Sequence, residues 1–430
     1  MDAIHYGGIL EYDAHGLYSI LESAATYKYL QTKSKLPFIL TRSTSMGNGR
    51  FAAHWTGDNG AYWEYLQVSI PGNFNFQIFG MPFVGADICG FMDSTNEELC
   101  ARWLQVGALY PFARNHHELM TRNQEPWTFT KKNNNVTIIE TARVAFKTRY
   151  SLLKWYYSLF IKANGSGSIF RPLMFEFPRE EILYEDGISD WEFLLGSSVL
   201  CTPKVEPGEP FVDAYFPIAT WYELFTGKVI KNKEDSDRNQ RIETPFDAPA
   251  PLFLRGGHIV HKQKVDNVLT TEDLNDEFEL MIGFDREDKD SYLKAQGSIM
   301  GISNFDDDSV YHRCVEENCL YDIFATTTKE ESNYVSLEIR FKKNKGNNSL
   351  SLDDFGIYGL KLYGLSLGFM GEDEKKVSYA LVQLIRENND TPTVLSIERL
   401  TMIAEGAFTF TFEDTLRIQD GDILSFELII

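Results

Sequence analysis

A chain of 430 residues exceeds one ordinary core, and with 43% hydrophobic and 14% aromatic residues it can build two or three packed domains. A net charge of −21 excludes a nucleic-acid face, which needs clustered Lys and Arg, and no apolar run reaches the ~20 residues of a membrane-spanning helix. With neither an HExxH nor a CxxC pattern, the sequence implies no metal, redox centre or cofactor.

In chain order, the N-terminus lacks a basic segment followed by an apolar one, so no signal peptide is expected in this chain. Asp13 can cap a helix in which Leu17, Ile20, Leu21 and Ala24 recur at helical spacing. Residues 36–45 hold a short apolar strand ending in polar residues. The loop GRFAAHWTGDN (49–59) follows, and AYWEYLQVSI then suits a helix stopped by Pro71-Gly72. MPFVGADICGF (81–91) is a second apolar strand that runs into an acid. DSTNEELCARW opens a helix with Ser94 or Thr95 as N-cap and Glu97 or Glu98 completing a capping box. VGALYPFARNHH brings another strand with polar residues at its end, Ile138 to Ala163 reads as one long helix, and RPLMFEFP (171–178) as a fourth strand.

Strands that close on polar residues and lead into helices describe a parallel βα arrangement, whose functional residues gather at the strand C-termini. About four such units are expected, where a closed (β/α)8 barrel needs eight. From about residue 180, short aromatic and β-branched runs separated by Gly and Pro predict a small β-domain, and NKEDSDRNQ (232–240) an exposed acidic loop. Period-two alternation in VSLEIRF and TFTFED predicts a β-sandwich over about 265–430. The expected domains are 1–166, 167–262 and 263–430. Asn135, Asn164, Asn347 and Asn389 stand in N-glycosylation acceptor patterns. Cys89/Cys100 and Cys314/Cys319 are close enough to pair locally, which leaves Cys201 over; Cys89 and Cys100 read as a disulfide or as buried thiols.

The strand-end set comprises Arg42, Asp58, Asp87, Phe91, Arg114 and His116, with Trp55 close by. Two carboxylates, a guanidinium, an imidazole and aromatic faces suit a polyhydroxylated ring. Glycoside hydrolysis also needs a proton donor of raised pKa and an ionised partner carboxylate. Asp58, desolvated against Trp55, suits the donor, or else it is a turn residue or helix cap. Asp87 can serve a sugar, or pair structurally with Arg42 or Arg114. His116-His117 has no second ligand pair for a metal.

RSTSMGNGRFAAHWTGDN, GMPFVGADICGF, EELCARWLQVGALYPFARNHHEL and RPLMFEFP, taken in order, resemble consecutive blocks of glycoside hydrolase family 31, the α-glucosidase family. WYELFTGKVI and PLFLRGGHIV resemble its C-terminal β-domains. The resemblance is strong to about residue 260; beyond, GSIMGISNFDDDS only loosely matches the family's distal pattern. It implies that Asp58 is the general acid/base, that Arg42, Trp55, Asp87, Phe91 and His116 line the subsite for the terminal glucose, and that Cys89 and Cys100 form a disulfide. Arg114-Asn115-His116-His117 departs from the family's Arg-Asn-His-Asn, and Met46-Gly47-Asn48 varies a loop near Arg42.

The family's nucleophile lies in a Trp-x-Asp-Met-Asn-Glu block, and no such block occurs in the 430 residues. The expectation is therefore an α/β-plus-all-β chain: the C-terminal half of a (β/α)8 barrel followed by two β-sandwich-type domains. Its expected partners are an oligosaccharide with terminal α-linked glucose and the other half of the barrel, on the same longer chain or a separate subunit. The isolated chain is expected to be inactive. A sugar-binding or scaffold protein without turnover is the alternative. Lysosomal, secreted and endoplasmic-reticulum members share these blocks, which points to the secretory pathway.

Overall fold

The computed structural model of the chain describes residues 2–33, 37–165, 167–285, 293–300, 319–331, 334–343, 355–363, 365, 379–386, 392–404 and 407–429. Asn347, Asn389, Cys314 and most of GSIMGISNFDDDS lie outside them.

The chain enters through α1 (Glu11–Ala14) and α2 (Tyr18–Leu30). Asp13 lies inside α1 instead of capping a longer helix; α2 starts from Leu17 without a side-chain cap, and the imidazoles of His5 and His15 hold Glu11, each at 2.6 Å. The buried residues of α2 are Ser19 and Ser23, whereas Leu17 and Leu21 on the apolar stripe are 53% and 63% exposed. Ile4, Tyr6, Ile9 and Phe38 extend this uncovered apolar surface.

The first three expected strands form and run parallel, and a further strand (Ala53–Trp55) forms inside the stretch 49–59 that was expected to be a loop. β1 (Leu40–Thr41) pairs with β2 (Ala53–Trp55), and β2 with β3 (Val84–Gly85); β4 (Asp87–Ile88) pairs with β5 (Arg114–Asn115). Parallel neighbours need crossovers, supplied by α3 (Trp63–Ile78) and α4 (Glu97–Gly107). Pro71 does not stop α3. Leu66, Ile70, Asn73 and Gln77 form one buried face that continues past it, and packing of that face outweighs the ~3 kcal/mol an interior proline costs. The N-cap of α4 is Asn96, accepting from Leu99 N at 3.0 Å, not Ser94 or Thr95. The long helical pattern splits at Leu152 into α5 (Ile138–Ser151) and α6 (Leu153–Lys162), so that Ile138 and Trp155 reach one core.

The next region is antiparallel. β6 (Phe170–Arg171), β7 (Phe193–Leu195), β8 (Val199–Cys201), β9 (Phe211–Tyr215), β10 (Trp221–Glu223), β11 (Val229–Lys231), β12 (Asn239–Glu243) and β13 (Leu252–Arg255) follow in sequence. Six of them make a sheet in the order β11-β10-β13-β8-β7-β6, and β9 pairs with β12 as a ribbon. The expected fourth parallel strand thus becomes β6, antiparallel to β7; Pro172 has no N–H for a ladder, and the chain turns into a 3-10 segment at Leu173. Residues 232–237 are exposed as expected, but Arg238 is buried, donating to the carbonyls of Phe216, Pro217, Ala219 and Asn232. This region is clamped to α4 by Arg102, fully buried, which donates to Thr244 O at 2.6 Å and lies 3.8 Å over the Phe246 ring.

β14 (His258–Gln263) and β15 (Glu277–Gly283) belong to the last sheet, which has eleven strands among the described residues. It is one continuous ladder where a two-sheet sandwich was expected. It nevertheless closes over one core: Phe410 meets Phe426 at 5.7 Å and Tyr321 meets Phe355 at 5.0 Å, from strands distant in the ladder.

Candidate active site

Parallel strands send their C-terminal ends the same way, so the residues just beyond them face one another. Arg42 follows β1, Trp55 ends β2, Asp87 opens β4 and Arg114 opens β5. Beyond β2 the chain turns at Gly57, with φ +83°, where a Cβ would lie 2.4 Å from Arg42 Nε. Only glycine leaves room for the Arg42 side chain to cross the loop. Its Nη1 then donates to Asp58 Oδ2 at 3.2 Å.

The adjoining loops are pinned. Asn59 Nδ2 donates to Asp87 O at 2.9 Å, and Asn59 O accepts from Phe91 N at 2.7 Å. Cys89 holds a left-handed φ of +75° and is bonded to Cys100 on α4, as the resemblance implied. Cys201 is free and buried; Cys319 is disulfide-bonded. Gln124, 1% exposed, donates to Asn115 Oδ1 at 2.8 Å and His116 O at 3.0 Å, with Ile88 O and Gly90 O also within reach. The rings of Phe91 and His116 meet at 4.9 Å.

Asp87 is fully buried and accepts from Arg114 Nη2 through Oδ1, which decides between its two possible arginine partners. Burial pushes its carboxyl pKa up; the Arg114 hydrogen bond and charge oppose this, as does His116, while the negative charge of Asp58 adds to it. The two carboxylates therefore lie within electrostatic reach of each other. Buried polar atoms around them without a partner include Asp87 Oδ2, Trp55 Nε1 and Arg114 Nε, and on the loop-pinning amides Asn59 Oδ1 and Gln124 Oε1. Such atoms are costly unless a ligand or water satisfies them, and acceptors beside two donors fit a hydroxylated ring, whose hydroxyls do both.

One expectation is corrected. Asp58 is not desolvated against Trp55; its side chain is 37% exposed, and Arg114 lies against the Trp55 ring, 5.3 Å from its centroid. Sequence reasoning missed Asn59 and Gln124, because an amide that ties loops by hydrogen bonds leaves no spacing signature. It also passed over His54, which is buried, stacks on Phe76 at 3.7 Å, hydrogen-bonds Thr41 O through Nδ1, and is driven down to about 4 by burial. His54 is thus neutral, and packs β2 against α3. Among the described residues no group of three His, Cys, Asp or Glu could hold a metal ion, and no helix is long and apolar enough to cross a membrane.

The profile of the glycosyl hydrolases family 31 TIM-barrel domain matches residues 1–159, and that of the glycosyl hydrolase family 31 C-terminal domain matches residues 166–260. The chain belongs to glycoside hydrolase family 31. It is 37% identical over 328 residues to the lysosomal acid alpha-glucosidase of Tetrahymena pyriformis, covering 74% of this chain and 35% of that protein. It is 43% identical over 261 residues to alpha-xylosidase 1 of Arabidopsis thaliana, covering 60% and 27%. This family 31 chain thus spans about a third of the length of the curated relatives it matches. In fold it is similar to the glucosidase II alpha subunit in its Glc1Man2-bound crystal structure, with a TM-score of 0.73 at 24% identity over 99% of this chain and 44% of that one.

Proposed function

We propose that residues 1–166 are the C-terminal half of a (β/α)8 barrel and carry the acid/base side of a retaining α-glucosidase site, followed by a β-domain from residue 167 and a second that begins with β14, a few residues before the boundary at 263 expected from sequence. The observation that carries this reading is the trio of unpartnered buried atoms, Asp87 Oδ2, Trp55 Nε1 and Arg114 Nε, beside the Arg42–Asp58 pair. Asp87 accepts hydroxyls of a terminal α-linked glucose, Trp55 donates to a sugar oxygen, and Phe91 and His116 form an aromatic wall. Arg42 orients Asp58.

In the first step the Asp58 carboxylic acid protonates the glycosidic oxygen as the C1–O bond breaks and a second carboxylate bonds to C1. In the second step the Asp58 carboxylate takes a proton from water, whose oxygen displaces that carboxylate from C1. We place the second carboxylate on a segment outside these 430 residues, which contain no Trp-x-Asp-Met-Asn-Glu block. The apolar surface of α2 and its neighbours supports a partner half of the barrel, in the same longer chain or another, over a solitary sugar binder. Alone, the chain is expected to self-associate and to leave p-nitrophenyl α-glucoside intact. The exposed acceptor asparagines Asn135 and Asn164 and the disulfide suit the secretory pathway.

The test is Asp58→Ala in a polypeptide that carries these residues together with the rest of the barrel. Loss of general acid/base help lowers turnover of an α-linked disaccharide by about 10²–10⁴-fold. α-Glucosyl fluoride, whose leaving group needs no proton, is still cleaved to the glycosyl-enzyme, and added azide speeds the second step. Equal loss on both substrates without azide rescue would refute the acid/base role.

A further inference from the structure

A cavity of about 400 Å³ lies where α5 meets β14 and the last sheet, away from every strand-end residue of the candidate active site. Its size is that of small-molecule sites. Lysines gather here although the chain as a whole carries −21. Lys262 pairs with Glu279 at 2.8 Å, and Lys361 stands 4.0 Å from the same carboxylate while donating to Phe225 O. Lys264 lies 4.2 Å above the centroid of the Tyr358 ring, and Lys147 on α5 has no acidic partner among the described residues. Among the residues that line the cavity, the three ammonium groups of Lys147, Lys262 and Lys264 face the two carboxylates of Asp266 and Glu279, an excess of one positive charge.

The cavity also needs donors. Gln263 is 1% exposed; its amide nitrogen donates to Asn275 O, and its carbonyl oxygen is buried without a partner. Thr148 and Ser151 donate their hydroxyl protons to Val144 O and Thr148 O, so toward a ligand they can only accept. A neutral sugar would leave the charge unanswered. A bare inorganic anion would leave these acceptors unanswered. We propose that this cavity binds an anionic sugar, a hydroxylated ring bearing a phosphate or a carboxylate, with its hydroxyls toward Gln263, Thr148 and Ser151 and its anion at Lys147 and Lys264.

The test is isothermal titration of the 430-residue chain with glucose 6-phosphate, glucuronate, glucose and inorganic phosphate. Tighter binding, by tenfold or more, of either anionic sugar over both glucose and phosphate supports the proposal, and which one binds identifies the anion. Lys147 and Lys264 are exposed, so the K147Q/K264Q double variant keeps the core intact, and it should weaken that binding at least tenfold. Gln263→Leu should weaken it too. The proposal is overturned if glucose or phosphate binds as tightly as the anionic sugars, or if K147Q/K264Q retains the affinity.

Discussion

Replacing Glu192 by Gln should stabilise this protein at alkaline pH. Glu192 is 7% exposed, accepts from Tyr215 N at 2.7 Å through Oε1, and leaves Oε2 buried without a partner. Burial raises its pKa from 4.5 to about 8, against the pull of the Tyr215 N–H. The folded state thus holds a proton that the unfolded state releases. Stability from this group is complete below pH 4.5 and is lost as pH rises toward 8. With about 8 in the folded state against 4.5 unfolded, at about 1.4 kcal/mol for each pH unit between them, some 4–5 kcal/mol is forfeited by pH 8. Gln keeps the shape and the acceptor for Tyr215 N, and it never ionises. Urea unfolding, followed by the fluorescence of buried Trp221, should show wild type and Glu192→Gln nearly equal at pH 5 and the variant several kcal/mol more stable at pH 8. A variant less stable than wild type at pH 8, or a gap independent of pH, would refute the reasoning.

Three further outcomes follow from the candidate active site. Arg114→Met leaves Asp87 buried and unpaired and should cost about 3–5 kcal/mol, whereas Asp87→Asn leaves an Arg114 that is 30% exposed and can reach water, costing about 1–3 kcal/mol; equal losses in urea unfolding would contradict this asymmetry. Gly57→Ala puts a Cβ into Arg42 at a left-handed φ, so stability should drop by about 1–2 kcal/mol, and sugar hydrolysis by the whole enzyme should fall on the order of 100-fold as Asp58 loses its partner; unchanged kinetics would show that the Arg42–Asp58 contact is dispensable. Cys89→Ser with Cys100→Ser opens a loop of 11 residues and should cost about 2–3 kcal/mol, visible as a lower unfolding midpoint than wild type; identical midpoints would show that α4 alone holds the loop.

Much of the parallel region is legible in local sequence. Short apolar runs ending in Arg42, Asp87 and Arg114 announce parallel strands, because a strand covered on both faces must be apolar along its length and can turn polar only where it emerges. Cap and breaker residues mislead where packing has the larger energy. Pro71 reads as a stop, yet the buried face through Leu66, Ile70 and Gln77 carries α3 past it. Asn96 caps α4 in place of Ser94 or Thr95, because the helix start is set by which residues its core face must bury. Leu152 breaks an unbroken helical pattern for the same reason.

The residue types of a sugar site and their order along the chain are properties of the sequence: two carboxylates, arginines and aromatics, each following an apolar strand. Which arginine Asp87 meets, that Asp58 is open while Asp87 is buried, and that Asn59 and Gln124 lock the loops were decided only by tertiary structure. A local pattern records whether a side chain faces a core. Burial depth, ion-pair choice and unsatisfied polar atoms depend on what other segments bring into contact, and that information exists only once the chain has folded.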